Sequence, residues 1–168
     1  MLLTCESGSD DYVISALKSI DSVKSVVGVF GTYDLLAKLE ADTEEKIRDI
    51  ITKKIRKIQR IRATCTLMVN DKNGFPNRTV IGKDILNRYM SQAYVLLECD
   101  KNYEKYVINN LSTIPEVVDG DVLIDQYQII CNIMAPTYND ISDIVTKKIR
   151  KIPNIKGTIT LNVIGQPS

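Results

Sequence analysis

The 168-residue chain contains no histidine. Its absence removes the side chain most used as a general base near neutral pH, and the commonest metal ligand. It counts against Ser-His-Asp sites, Cys-His sites and His-ligated metals. No CxxC pair is present either. Cys5, Cys65, Cys99 and Cys131 each stand in an apolar, strand-like stretch. They read as small buried hydrophobes in a reducing compartment, not as a disulfide framework or a metal set. No apolar run approaches the roughly 18–20 residues of a membrane span. Met1 leads directly into LLTCESGSDD, which lacks the basic start and long apolar core of a signal peptide. These absences predict a cytoplasmic protein. Charge of one sign is also missing: 22 basic and 21 acidic residues leave a net charge of +1. A near-neutral chain has no general attraction for nucleic acid or an anionic membrane.

What is present is a repeat. TKKIRKI occurs at 52–58 and again at 146–152, an offset of 94 residues. Applied throughout, that offset aligns the halves without a gap, and 27 of the 69 positions in 2–70 are identical to 96–164. Leu2, Leu3 and Cys5 meet Leu96, Leu97 and Cys99. Tyr12, Val13, Ile14, Leu17 and Ile20 meet Tyr106, Val107, Ile108, Leu111 and Ile114. Thr64, Thr66 and Leu67 meet Thr158, Thr160 and Leu161. A tandem duplication follows, with repeats at 1–70 and 92–168 and a linker at 71–91.

Each copy reads as six elements. LLTCE and AYVLLEC are short, apolar and partly β-branched, so they predict strands. Val13, Ala16, Leu17 and Ile20 fall on one face of a 3.6-residue period, as do Val107, Leu111 and Ile114. Two strands follow as a hairpin, turning at Gly31-Thr32 or Asp125-Gln126. In the second helix Asp42 is the expected cap, with Glu45 completing a capping box. Ile47, Ile50, Ile51, Ile55 and Ile58 form its apolar stripe, matched by Ile141, Ile144, Val145, Ile149 and Ile152. A last strand, ATCTLMV or GTITLNVI, closes each copy. In the linker, Asn73-Gly74 and Phe75-Pro76 predict turns, and Asp84 to Met90 reads as a turn or two of helix.

The order β-α-β-β-α-β predicts an α+β chain of two ferredoxin-like units. Both helices of such a unit lie on one face of an antiparallel sheet, leaving the other face to be covered. A unit of about 70 residues buries little surface alone. The expectation is therefore a pseudo-dimer, a dimeric alpha-beta barrel or sandwich within one chain.

The second copy, AYVLLECD…LSTIPEVVDGD…DQYQIICNIMAPTYNDISDIVTKKIRKIPNIKGTITLNVI, resembles the effector-binding (RAM) domain of the Lrp/AsnC, or feast/famine, transcription regulators. The opening AYVLLE, Leu111 with Ile114-Pro115-Glu116-Val117, and the run from Ile149 to Leu161 carry the likeness. In the first copy Gly31-Thr32-Tyr33-Asp34-Leu35-Leu36 resembles the family's G-x-Y-D hairpin. The resemblance spans both repeats. It implies dimerisation through sheets, further assembly, and binding of an amino acid or similar metabolite near interfaces. The family's usual N-terminal helix-turn-helix is not expected ahead of Met1, so a stand-alone tandem form without direct nucleic-acid binding is expected.

The resemblance also implies the site. The hairpin residues Gly31, Thr32, Tyr33 and Asp34, with Thr64 and Thr66, are the expected ligand contacts in copy one, and Thr158 and Thr160 those in copy two. A glycine lets backbone approach closely, a carboxylate takes an ammonium group, and hydroxyls take a carboxylate. Copy two has Asp125, Gln126, Tyr127 and Gln128 at the hairpin, so different binding or none is expected there. The basic run Lys53-Lys54-Ile55-Arg56-Lys57, with Arg60 and Arg62, reads as a solvated helix end that suits the helix dipole. No catalytic residue, cofactor or metal is expected. The function this implies is a non-enzymatic regulatory and oligomerisation module that binds a small metabolite, modulating transcription through partners of its own or Lrp type. The alternative is a purely structural assembly module.

Overall fold

A computed structural model describes residues 1–76, 90–124 and 127–164. The chain divides into two compact units, Met1–Thr66 and Leu67–Ser168.

The first unit runs β1 (Leu2–Cys5), α1 (Asp10–Lys18), β2 (Val23–Phe30), β3 (Leu35–Leu39), α2 (Glu44–Lys53) and β4 (Ile61–Cys65). Its antiparallel sheet has the order β4-β1-β3-β2. The helix periodicity fixes the core. Val13 and Leu17 of α1, with Ile51 and Ile55 of the second helical segment, pack on Leu3, Cys5, Leu35 and Ala37 of the sheet. Full burial of one such aliphatic side chain stabilises by about 1.5–3 kcal/mol.

The second unit opens with an additional strand, β5 (Val69–Phe75). It continues as β6 (Ser91–Cys99), α3 (Glu104–Leu111), β7 (Val117–Leu123), β8 (Ile129–Ala135), α4 (Tyr138–Ile144) and β9 (Ile155–Val163). The sheet order is β9-β6-β8-β7-β5, again antiparallel. Val107, Ile108 and Leu111 of α3 and Ile141 and Ile144 of α4 close over Ala93, Val95, Leu97, Ile129, Cys131 and Ile133. Both units are ferredoxin-like, as the element order predicts.

The duplication extends to irregularities that apolar patterning does not specify. A bulge separates Thr4 from Cys5 in the β1–β4 pair, and the same bulge separates Glu98 from Cys99 in the β6–β9 pair. Both hairpins shift register at the same place, between Val23 and Ser25 and between Val117 and Asp119. Arg60 and Asn154 are repeat counterparts, and both adopt φ 73°.

Three expectations differ from the structure. The α2 cap is Thr43, whose Oγ1 accepts from the Lys46 N–H at 3.2 Å, while Asp42 forms an exposed ion pair with Lys46 at 3.0 Å. Thr137 is its counterpart, and a complete capping box with Asp140 forms there. The repeat alignment carries this signal: Thr43 meets Thr137, whereas Asp42 meets Pro136.

The last strand of copy one stops at Cys65 instead of running on to Val69, which begins β5. Asn73, Gly74 and Phe75 lie in that strand and not in turns. Gly74 there meets a need for space. A Cβ on it would stand 2.6 Å from the Gly120 carbonyl oxygen, and a Cβ on Gly120 would stand 2.8 Å from the Phe75 ring. Residues 77–89, including most of the helical turn expected at Asp84 to Met90, lie outside the described residues.

The repeated TKKIRKI segment takes two backbone forms. In copy one the helix ends and a single tight turn follows, closed by the Ile58 N–H to the Ile55 carbonyl at 3.0 Å. In copy two α4 continues with a widened turn, Val145–Ile149, closed by the Arg150 N–H to the Val145 carbonyl at 2.9 Å. Both forms keep the isoleucine at Ile55 or Ile149 fully buried.

Candidate ligand-binding site

The β2–β3 hairpin carries Gly31 to Asp34 to the C-terminal end of β1. Gly31 has φ 143°, a region that L side chains rarely adopt, so the turn requires glycine. Gly31 and Thr32 are exposed, and Tyr33 and Asp34 are half-buried.

Asp34 is held at three points. Its N–H donates to the Leu3 carbonyl at 2.9 Å, and its carbonyl accepts from the Val29 N–H at 2.8 Å. Its Oδ2 accepts from the Cys5 N–H at 2.8 Å. The last bond satisfies a backbone donor on the β3 side of β1, just past Leu3–Leu35, where the β1–β3 pairing ends. Gln128 reproduces all three. Its N–H reaches the Leu97 carbonyl at 3.1 Å, its carbonyl accepts from the Leu123 N–H at 2.8 Å, and its Oε1 accepts from the Cys99 N–H at 2.9 Å. Position 34/128 therefore has a structural duty in both repeats. Aspartate adds a negative charge in copy one, and glutamine adds an amide donor in copy two.

The threonines stand elsewhere. Thr64 pairs with Leu3, and Thr158 and Thr160 pair with Leu97 and Val95, on the faces that carry the helices. Strand β1 lies between Thr64 and the hairpin strand, a separation of two strand spacings, about 10 Å. Thr66 lies beyond Cys65, which pairs with Leu2 at the opposite end of β1 from the hairpin. Within its unit, the structure thus groups Gly31 to Asp34 but places Thr64 and Thr66 apart from them. Thr158 is further engaged: its Oγ1 accepts from Arg150 Nε at 2.9 Å.

The sequence reading missed a polar cluster in the second unit. Strand alternation puts Gln92, Tyr94, Asn132 and Asp119 on the face opposite α3 and α4, with Tyr94 paired to Asn132 and Asn132 to Asp119. Gln92 Nε2 donates to Asn132 Oδ1 at 2.9 Å, and Asn132 is 5% exposed. Burial pushes the Tyr94 hydroxyl above its ordinary value, the Asp119 charge adds to this, and a hydrogen bond with Gln92 opposes it. The available signal was Asn132 in an otherwise apolar strand where copy one has Lys38.

Burial also raises the thiols. Cys5 is pushed to about 11 by burial, then by Asp34 and Asp10. Cys99 reaches about 11 by burial, then by Glu104 and Asp100, against Lys156. Burial raises Cys131 further still. Cys5, Cys99 and Cys131 are buried and Cys65 is half-buried. Among the described residues no group of three or more His, Cys, Asp or Glu side chains is placed to hold a metal. No helix among them is long and apolar enough to cross a membrane.

Two ferredoxin-like units, each with the same hairpin bonds at position 34 or 128, define the class, a tandem α+β fold. The model of the Lrp/AsnC ligand binding domain matches residues 1–72 and 92–168, and the chain belongs to that family. Among solved structures, FFRP-DM1 is 31% identical, covering 44% of this chain and 99% of its own, with a TM-score of 0.43. The siroheme decarboxylase NirDL is 8% identical, covering 98% of this chain and 70% of its own, at a TM-score of 0.71. A putative monooxygenase from Lactobacillus acidophilus NCFM is 10% identical, covering 97% and 90%, at 0.55. At such identities the last two share the fold. A search among curated proteins finds no match.

Proposed function

We propose that the chain is a cytoplasmic, non-enzymatic regulatory and assembly module that binds an amino acid or a related small metabolite. The observation that carries this reading is membership of a ligand-binding domain family across both repeats. Copy one is the stronger candidate. Its hairpin combines backbone that only glycine gives at Gly31 with the fixed carboxylate of Asp34. A carboxylate so placed suits an ammonium group. Copy two offers the Gln128 amide at the same point, which favours a different ligand or none.

A thermal-shift screen of amino acids and common metabolites tests this, because a ligand in excess of its dissociation constant raises the melting temperature. Asp34→Gln is the informative variant. It transplants the copy-two residue and retains an acceptor for the Cys5 N–H while removing the charge. A shift in the native protein that Asp34→Gln abolishes supports the reading. A screen without any shift rejects it.

A further inference from the structure

The two copies of TKKIRKI differ in what their cations meet. In copy two Lys148 pairs with Glu116 at 3.2 Å, Lys156 pairs with Asp100 at 3.1 Å, and Arg150 is bonded to Thr158. In copy one Ser22 replaces Glu116 and Arg60 replaces Asn154. Among the described residues Lys54, Arg56, Lys57 and Arg62 have no carboxylate within ion-pair distance. All four are exposed. Arg60 lies over the Tyr12 ring, 5.2 Å from its centroid. Lys54 has thus lost the carboxylate that its counterpart Lys148 meets, and among the described residues Arg62 makes no ion pair although Glu6 stands where copy two has Asp100.

These cations flank a strand edge. β4 ends the first sheet, and among the described residues β1 is its only partner. Its outer edge therefore presents backbone donors and acceptors that no strand takes up. Arg62 and Ala63 within it are exposed, and Lys57 and Arg60 lead into it. We propose that the outer edge of β4 receives an extended acidic polypeptide segment as an added strand. Main-chain hydrogen bonds supply the affinity of such strand addition, and alternate side chains supply its selectivity. Here Arg62 and the cations before it select carboxylates. Duplex nucleic acid fits less well, because it has no backbone amides to pair with an edge. Single strands lack a run of rings to stack on, since Arg60 lies over one face of the neighbouring Tyr12. The proposal does not depend on small-ligand binding at Asp34.

The test is fluorescence anisotropy on the full chain with a labelled octapeptide of alternating Glu and Val. Three probes accompany it: the same peptide N-methylated at alternate amides, a Lys-Val peptide and a DNA duplex. Lys57→Glu with Arg62→Glu should weaken the acidic peptide about tenfold, the scale of two exposed ion pairs turned to repulsion. The copy-two counterpart, Lys151→Glu with Lys156→Glu, should change it less than about twofold. N-methylation should abolish binding, and the Lys-Val peptide should not bind. The proposal is overturned if the acidic peptide does not bind, if the methylated peptide binds equally, or if Lys57→Glu/Arg62→Glu has no effect. It is also overturned if the duplex binds more tightly than the peptide and loses that affinity in the same variant.

Discussion

Removing the Asp34 carboxylate tests the structure at the point where ligand binding and folding meet. In Asp34→Ala the Cys5 N–H loses its 2.8 Å acceptor. Cys5 is 7% exposed, so water has little access to replace it. An unsatisfied buried donor costs about 1–3 kcal/mol, and a hydrogen bond to a charged acceptor lies toward the upper end. The expected loss is about 2 kcal/mol. Asp34→Gln should recover at least half of it, because Gln128 makes the equivalent bond at 2.9 Å. Urea denaturation followed by tyrosine fluorescence measures both, with the two units fitted as separate transitions where they separate. Gln128→Ala should cost less, about 1 kcal/mol, since its acceptor is neutral. A loss below about 0.5 kcal/mol in Asp34→Ala would refute the structural duty assigned to this position. So would an Asp34→Gln variant no more stable than Asp34→Ala.

Three further outcomes are expected. Gly120→Val installs the copy-one residue, Val26, where the Phe75 ring now lies. It should cost about 1–3 kcal/mol and speed amide exchange across Val69–Phe75, read by mass spectrometry. Exchange unchanged in that segment would contradict the packing. Thr137→Ala breaks the capping box and should cost about 1 kcal/mol in the same denaturation assay. For pH, the folded Cys5 and Cys99 thiols titrate near 11, above their ordinary value of 9.0. Their contribution is full below the unfolded value and is lost as pH rises toward the folded one. The melting temperature should therefore fall between pH 9 and 11. The fall should be smaller in a Cys5→Ala/Cys99→Ala variant.

The fold was legible because it rests on apolar period. Val13 and Leu17, and Ile51 and Ile55, are the residues a helix-period reading selects, and they are the ones buried against the sheet. The duplication made each assignment twice. What was not legible depends on single close approaches. Gly74 reads as a turn residue until Gly120, distant in sequence, is seen to need the space beside it. Strand β5 escaped notice for the same reason. Its partner β7 lies over 40 residues further on, and copy one has no counterpart. The site residues were drawn from family likeness, which identifies the hairpin but not its bonds. That Asp34 holds the Cys5 N–H follows from where the β1–β3 pairing ends, at Leu3 and Leu35, and composition carries no sign of it.

The most direct test of small-metabolite binding is a calorimetric titration of the full chain with the strongest ligand from the amino-acid and metabolite screen. The account predicts saturable binding at one site per chain, lost in Asp34→Gln and retained in Gln128→Ala. Binding that survives Asp34→Gln and disappears in Gln128→Ala would contradict the assignment to copy one. No saturable heat with any ligand would contradict the proposed function itself.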